Sequence, residues 1–249
     1  MNTSQTPSVA PVALITGGAG GIGSGIARRL ARDGITVVVA YSRSAEAAAQ
    51  LVQELEGQRQ PASAIQADVA RAADVAQLFA TALARHGRID YVINNAGTMI
   101  PRALADTDDE LYARVFDVNV RGALNVLKQA SLQLAAGGRV VNTSSTLVGA
   151  PIAGSGLYAA SKAALELLGA VAAKELGPRG ITVNSLRVGP VVPGMFSKAP
   201  PERQAALAAA SPFKRLGTPQ DVADVVAFLV SDAGRWITGQ TITVDGGST

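Results

Sequence analysis

Two hydrophobic patterns alternate along the chain. Short runs of apolar and β-branched residues are followed by longer segments in which apolar residues recur at helical spacing. Most short runs are apolar throughout, as expected for strands of a parallel sheet with helices on both faces. The sequence therefore predicts one α/β domain, residues 1–249, with a doubly wound sheet of about seven mainly parallel strands. The predicted strands are Val12–Thr16, Thr36–Ala40, Ala62–Ala67, Tyr91–Asn94, Val140–Asn142, Ile181–Leu186 and Thr241–Val244, and the predicted helices are Gly21–Arg32, Ala45–Glu56, Ala72–His86, Glu110–Ala135, Leu157–Leu176 and Pro219–Ser231.

The alternation is interrupted between residues 189 and 212. Five prolines surround an alanine-rich piece, AALAAA, in this stretch. Because it comes late in the chain, it can fold over whatever the carboxyl edge of the sheet presents. We therefore predict a substrate lid that contains a short helix. Residues 1–10 are predicted to be a flexible N-terminus.

Composition excludes several function classes. The 249 residues contain no cysteine and one histidine, so thiol chemistry is excluded and no metal site is expected. The net charge is +3 and the basic residues are scattered, which gives no support for nucleic-acid binding. The chain shows neither a long uninterrupted apolar span nor a secretion signal, so it is expected to be soluble and cytoplasmic, with no membrane partner.

A glycine-rich turn joins the first predicted strand to the first predicted helix. Five glycines lie within the seven residues from Gly17 to Gly23. Such a turn lets main chain approach a ligand closely, and the unpaired N–H groups at the start of the helix favour an anion. The strand and helix on either side supply the context that the motif needs. The sequence therefore predicts a nucleotide phosphate site.

The spacing of this turn, Thr16-Gly17 followed by Gly21-Ile22-Gly23, resembles that of the short-chain dehydrogenase/reductase family, and the resemblance extends over Val12 to Gly247. It implies a Rossmann-type fold, a nicotinamide cofactor and oxidoreductase activity on a carbonyl or a secondary alcohol. The other matching segments are Asn94-Asn95-Ala96-Gly97, Asn119-Val120-Arg121-Gly122, Ser145 thirteen residues before Tyr158, Tyr158-Ala159-Ala160-Ser161-Lys162, and Asp245-Gly246-Gly247.

Four residues are the candidate catalytic groups. Tyr158 and Lys162 are four apart on a predicted helix and so share one face, where the ammonium is expected to lower the pKa of the phenol. Ser145 lies after the fifth predicted strand, where its hydroxyl can donate to a carbonyl oxygen. Ser144 has the same chemistry, and only the spacing to Tyr158 favours Ser145. The resemblance implies that Asn119 holds a water that relays protons with Lys162.

The end of the second predicted strand indicates which nicotinamide is used. Tyr41 stands where NAD-binding folds usually place an acid for the ribose 2′-hydroxyl, and Arg43 with its neighbouring serines suits a 2′-phosphate. NADP(H) is therefore favoured, with NAD(H) as the alternative. The predicted cofactor-binding residues, several of them implied by the resemblance, are Thr16, Gly17, Gly21, Ile22, Gly23, Tyr41, Ser42, Arg43, Ser44, Asp68, Val69, Asn95, Ala96, Gly97, Tyr158, Lys162, Gly189 and Val191.

The sequence departs from the family at the start of the predicted lid. The family commonly has Pro-Gly-x-Val-x-Thr there, whereas this chain has Val188 at the first position and Pro193 at the last. Proline has neither a hydroxyl nor a backbone donor, so any nicotinamide contact must come from main-chain groups nearby. The segments expected to border the substrate are apolar: Thr98, Met99, Ile100, Leu147, Val148, Ile152, Leu157, Val192, Met195 and Phe196.

These observations favour a small ketone, aldehyde or alcohol with apolar substituents as substrate. A 3-oxoacyl-[acyl-carrier-protein] reductase is the first alternative, although the stretch SLQLAAGG lacks the basic residues that would dock an acidic carrier. A non-catalytic NAD(P)-binding sensor is the second, because fold alone does not fix function. The resemblance, together with the small residues on two predicted helices, also implies a homotetramer.

Overall fold

The apolar runs form seven strands that all pair in parallel. The computed structural model of the protein describes residues 10–249. The strands are β1 (Val12–Thr16), β2 (Thr36–Tyr41), β3 (Ala62–Gln66), β4 (Tyr91–Asn94), β5 (Arg139–Ser145), β6 (Thr182–Val188) and β7 (Thr241–Val244). Their order in the sheet is β3-β2-β1-β4-β5-β6-β7. The predicted doubly wound fold is confirmed.

Helices cover both faces of this sheet. The helices are α1 (Gly21–Arg32), α2 (Ala45–Gly57), α3 (Ala72–His86), α4 (Asp109–Phe116), α5 (Ala123–Gln133), α6 (Gly156–Leu176), α7 (Pro201–Ala210) and α8 (Pro219–Val230). One core cluster lies between the sheet and α1, α2 and α8, and a second lies between the sheet and α3, α5 and α6. Along β1, Ala13 and Ile15 face the first cluster while Val12 and Leu14 face the second, because successive side chains of a strand point to opposite faces.

The predicted long helix Glu110–Ala135 is wrong as a single α-helix. It is divided into α4 and α5 by a π-helical turn, Asp117–Gly122. A π turn inserts one extra residue, which is a common device at functional sites. Here the turn contains the buried Asn119, and Gly122 lies so close to Val69 that a Cβ there would be 2.7 Å from a valine methyl carbon.

Strands β5 and β6 are longer than predicted at their carboxyl ends. Thr143, Ser144 and Ser145 were expected to lie beyond the fifth strand, but they continue the ladder opposite Leu186, Arg187 and Val188. Polar residues usually mark the end of a strand in a sequence pattern. They are buried here, in part because their hydroxyls have partners in the surrounding elements.

The irregular stretch from residue 189 to 212 contains the short helix expected of it. A 3₁₀ turn, Met195–Lys198, is followed by α7. Its role as a lid stays a prediction. The predicted flexible N-terminus lies almost entirely outside the described residues.

One segment in the described part of the chain, Gly156–Arg179, is long and apolar enough to cross a membrane. It consists of α6 and the 3₁₀ turn after it. Helix α6 packs on β5 and β6, so it is a core helix of the fold.

Candidate active site

The glycine-rich turn forms a tight main-chain cradle at the start of α1. Gly20 is the N-cap of that helix, no side chain caps it, and its first turn contains no acidic residue. A Cβ on Gly23 would lie 2.3 Å from the Gly17 carbonyl oxygen, and one on Gly21 would lie 2.2 Å from the Pro193 carbonyl oxygen. Gly21 and Gly23 therefore cannot carry a side chain. The cradle leaves the first N–H groups of α1 free to bind an anion. These residues fit the diphosphate of a dinucleotide.

Thr16 and Asn95 hold this cradle against the end of β4. The Thr16 hydroxyl accepts hydrogen bonds from the N–H groups of Asn95, at 3.0 Å, and Ala96, at 3.1 Å. The Asn95 amide in turn donates to the carbonyls of Thr16 and Gly17. Because Thr16 is fully buried, its side chain supports the cofactor site from beneath.

The predicted adenosine residues gather at the ends of β2 and β3. Ser42, Arg43 and Ser44 are exposed there, and Ser42 borders a cavity of about 630 Å³. The Asp68 carboxylate accepts from the Ala70 N–H, which fixes the loop after β3. Arg71 also borders the cavity. The sequence analysis did not predict this residue, although a cation three residues after Asp68 could have indicated a second partner for a phosphate. The cavity is lined by Ser42, Gln66, Asp68, Arg71, Ala73, Asp74 and Gln77.

The four predicted catalytic residues converge at the carboxyl ends of β4 and β5. Helix α6 carries Tyr158 and Lys162, and the Lys162 Nζ lies 5.9 Å from the centre of the Tyr158 ring. A Cβ built on Gly97 would be 3.2 Å from Lys162 Nζ and 3.4 Å from Asn119 Oδ1. Ser145, the last residue of β5, lies close enough to Tyr158 to lower the pKa of the phenol. The absence of a side chain at Gly97 leaves room for this arrangement.

The pKa of Tyr158 differs from the expectation. Burial raises the pKa of the phenol, and the Ser145 hydroxyl lowers it by a smaller amount. Lys162 donates to the Thr143 carbonyl at 2.7 Å and makes no hydrogen bond to the phenol in the described contacts. The predicted lowering of the Tyr158 pKa by Lys162 is therefore wrong in this structure. Burial lowers the pKa of Lys162 itself to about 8.

The side chain of Asn119 joins two elements of the site. Its amide donates to the Thr98 carbonyl at 2.8 Å and to the Ser161 hydroxyl at 2.9 Å, and its Oδ1 accepts from the Thr98 N–H at 2.8 Å. The Ser161 hydroxyl donates to the Tyr158 carbonyl. Asn119 thus ties the segment after β4 to α6. Both amide hydrogens are used, and the predicted water relay stays a prediction.

The two neighbouring serines have different partners. The Ser144 hydroxyl donates to Glu166 at 2.6 Å, whereas the Ser145 hydroxyl accepts from the Leu147 N–H and lowers the pKa of Tyr158. The structure therefore supports the choice of Ser145, which spacing alone had favoured.

The predicted lid begins with Gly189 and Val191, which are predicted to bind the cofactor. Val191 is buried, and a Cβ on Gly217 would lie 3.1 Å from one of its methyl carbons. Gly189 donates its N–H to Val244. The Gly189 N–H is therefore used within the fold, and the predicted main-chain contact to nicotinamide stays a prediction. Within residues 10–249, no group of three or more acidic or histidine side chains is arranged to hold a metal ion.

Comparison with known proteins identifies the family. A family model described as enoyl-(acyl carrier protein) reductase matches residues 17–249. A short-chain type dehydrogenase/reductase of Picea abies is 41% identical over 250 residues, covering 95% of this chain and 91% of the relative. The chain belongs to the short-chain dehydrogenase/reductase family. The predicted enzyme class is therefore confirmed.

Further relatives of this dehydrogenase/reductase share nearly its whole length. An uncharacterized oxidoreductase of Methylorubrum extorquens is 41% identical, covering 95% of this chain and 96% of the relative. A tetrahydroxynaphthalene reductase of Pestalotiopsis fici is 38% identical, covering 97% of this chain and 92% of the relative.

Solved structures superpose closely on this dehydrogenase/reductase. A blue fluorescent protein from a metagenomic library, in complex with NADPH, is 39% identical with a TM-score of 0.90. A short-chain dehydrogenase of Burkholderia cenocepacia, in complex with NADP, is 38% identical with a TM-score of 0.91. Each comparison covers 96% of this chain and 98% of the other.

Proposed function

We propose that this protein is an NADP(H)-dependent oxidoreductase that transfers hydride between nicotinamide and the carbonyl or secondary alcohol of a small, mostly apolar substrate. The observation that carries the proposal is the convergence of Ser145, Tyr158 and Lys162 beside the glycine cradle. A phosphate site next to a buried hydroxyl, a partly buried phenol and a buried amine suits proton-coupled carbonyl reduction.

Each residue of the site has a separate role in the reduction of the carbonyl. When bound, the nicotinamide supplies the hydride. Because its pKa is raised, Tyr158 stays protonated at neutral pH and donates its proton to the carbonyl oxygen. Ser145 donates a hydrogen bond that stabilises the charge developing on that oxygen. Lys162, held by the Thr143 carbonyl, orients the nicotinamide ribose, and the Ser145 hydroxyl, which lowers the pKa of the phenol, stabilises the phenolate left on Tyr158. The same groups act in reverse during alcohol oxidation.

The preference for NADP(H) depends on Arg43. Tyr41 stands in the position of the acid that would bind the 2′-hydroxyl of NAD, and the relatives solved with NADPH and NADP support the phosphorylated cofactor. Arg43→Ala should weaken NADPH binding by at least about 10-fold, because a hydrogen bond to a charged group contributes ~1.5–3 kcal/mol. NADH binding to the same variant is the internal control. An equal loss for both cofactors in a fluorescence titration would remove the phosphate role, and Arg71→Ala then tests the neighbouring cation.

The substrate is a free small molecule. Its expected boundary is apolar, and Met195 and Ile152 are partly exposed on that side. The similarity to a tetrahydroxynaphthalene reductase adds hydroxylated naphthalenes to the aliphatic ketones and aldehydes that should be tested. The test is a carbonyl panel followed by NADPH absorbance. Tight NADPH binding with no turnover of any carbonyl would favour the non-catalytic sensor instead.

Reduction of a 3-oxoacyl carrier protein is the second candidate, because the matching family model is described by an acyl-carrier-protein substrate. Docking of an acidic carrier requires free cations beside the site. The Arg179 guanidinium, which occupies a position suited to that role, donates instead to the carbonyls of Ser131 and Leu134 at the end of α5. A 3-oxoacyl thioester reduced faster when it is attached to the carrier than when free would favour this candidate.

The active protein is a soluble, cytoplasmic homotetramer. Two separate apolar surfaces support this assembly, since each offers a symmetric contact and two such contacts build a tetramer. The first surface, on α5 and α6, contains Leu124, Leu132, Leu167 and Val171, and the second, beside β7, contains Phe228 and Trp236. A monomer in light scattering at micromolar concentration would contradict the assembly.

A further inference from the structure

Helix α6 carries a third polar residue in line with its two predicted catalytic groups. Glu166 follows Lys162 by four residues, as Lys162 follows Tyr158, so the three side chains lie along one face of the helix. Like Lys162, Glu166 is buried. A buried carboxylate is costly unless it is paired and hydrogen bonded, so its partners indicate why it is there.

The carboxylate receives three hydrogen bonds from two strands. The Ser144 hydroxyl donates to Oε1 at 2.6 Å. Arg187 donates through Nε to Oε1 at 2.9 Å and through Nη2 to Oε2 at 2.7 Å, which is the two-pronged geometry of a strong arginine–carboxylate pair. Both carboxylate oxygens are thus occupied, and the charge of Glu166 is neutralised by Arg187.

The two donors lie opposite each other in the sheet. Ser144 on β5 pairs in register with Arg187 on β6, so Glu166 binds two neighbouring strands to α6 at one point. Arg187 also reaches beneath the turn that follows Ser145, because a Cβ on Gly149 would lie 3.5 Å from its Nη1. The group therefore holds the residue before Ser145 and borders the turn that follows it.

Packing alone does not explain such a group. Apolar side chains of similar volume would hold a helix on a sheet at least as well as a buried ion pair does. What an ion pair with fixed hydrogen bonds adds is one defined position of the helix along the strands. That position sets the distance from the Ser145 hydroxyl on β5 to the Tyr158 hydroxyl on α6.

We propose that Glu166 and Arg187 are positioning residues that act through Ser144 to hold the catalytic helix and the Ser145 strand end in register. The inference rests on the proposed function, since it concerns the same proton-donating pair. Neither residue touches the substrate or the cofactor. Their loss should therefore slow the chemical step and leave cofactor binding unchanged, because an error of ~1 Å in alignment can cost ~10²-fold in rate.

The experiment compares Glu166→Met, which removes the carboxylate and keeps the volume, with Glu175→Met on the exposed face of the same helix. We expect Glu166→Met to lower kcat of the folded protein by about 10–100-fold, with NADPH affinity close to that of Glu175→Met. Its thermal midpoint should be lower than that of Glu175→Met, because Arg187 loses its partner. Ser144→Ala should lower kcat in the same direction, and Ser144→Thr should restore it. The double variant Ser144→Ala/Glu166→Met should lose no more than Glu166→Met alone, because both act on one contact.

A different pattern would overturn the inference. If Glu166→Met lowers stability and NADPH affinity together while the folded fraction keeps its kcat, the group is structural only. Should Glu166→Met fail to fold, unchanged kcat in Ser144→Ala has the same meaning. Wild type and Tyr158→Phe in the same assay separate this failure from that of the proposed function. If wild type and Tyr158→Phe are equally active, both proposals fall, whereas loss only in Tyr158→Phe removes the positioning role alone.

Discussion

Helices α3 and α6 contribute to the same apolar core on one face of the sheet, but α6 also buries charged residues. Helix α3 turns Val75, Phe79 and other apolar side chains inward, as a surface helix normally does. Helix α6 buries Lys162 and Glu166 in its first half and apolar residues such as Leu176 in its second half, and it leaves Leu167 71% exposed. Helix α3 serves the core alone, whereas α6 also carries the candidate chemistry, and it can bury two charged residues because β5 and β6 supply their partners.

The largest expected effect tests the chemical role of α6. Tyr158→Phe removes one hydroxyl and keeps the ring, so it should lower kcat by ~10²–10⁴-fold, the usual contribution of a general acid. NADPH affinity should not change. Steady-state kinetics and a fluorescence titration measure the two quantities, and a variant that keeps its kcat would disprove the assigned acid.

The next effect tests α3. Phe79 is fully buried, and Phe79→Ala should lower the free energy of unfolding by ~3–5 kcal/mol through lost burial and the cavity left behind. The kcat of the folded fraction should stay that of wild type. Chemical denaturation provides the measurement, with Gln77→Ala on the exposed face as control. A large loss of kcat at full stability would mean that α3 takes part in the chemistry.

A smaller effect is expected from pH. Burial lowers the pKa of Lys162 to about 8, so its ammonium is present below that pH and is lost as pH rises through it. Since the pKa of Tyr158 is raised, the phenol stays protonated over the same range. The kcat/KM for reduction should therefore be level near neutral pH and fall above about 8. If Lys162→Arg keeps the same alkaline limb in its residual activity, another group titrates.

The smallest effect on catalysis concerns the outward face of α6. Leu167→Asp together with Val171→Asp places charges on an exposed apolar surface and should convert tetramers into dimers, with little change in kcat. Light scattering reports the mass, and Gln77→Asp on α3 should leave it unchanged. Intact tetramers in the double variant would mean that this surface is not an interface.

Local sequence patterns predict the strands and helices of this molecule well. The bounds of β1, β4 and α1 follow from apolar periodicity and from the glycines that end one element and begin the next. The cradle is predictable for the same reason, since it consists of main chain whose path the glycines dictate. The convergence of Ser145 with Tyr158 also follows, because carboxyl ends of parallel strands meet at one edge.

Contacts between distant residues are what the sequence does not reveal. Glu166 has no local signal, because its partners Ser144 and Arg187 are 22 and 21 residues away along the chain. The pKa of Tyr158 rises because burial outweighs the influence of Ser145, and burial depends on the whole fold. The π turn at Asn119 likewise depends on packing, which helical periodicity does not encode.

The glycine-rich turn is among the most tightly packed places in the protein. An added methyl group at Gly17, Gly18, Gly21 or Gly23 would lie 3.0 Å or less from a main-chain atom of another residue. Thermostabilising replacement of glycine by alanine therefore has to avoid this turn. It belongs at Gly57 and Gly177, where an added methyl meets no atom within 4 Å and the backbone needs no positive φ.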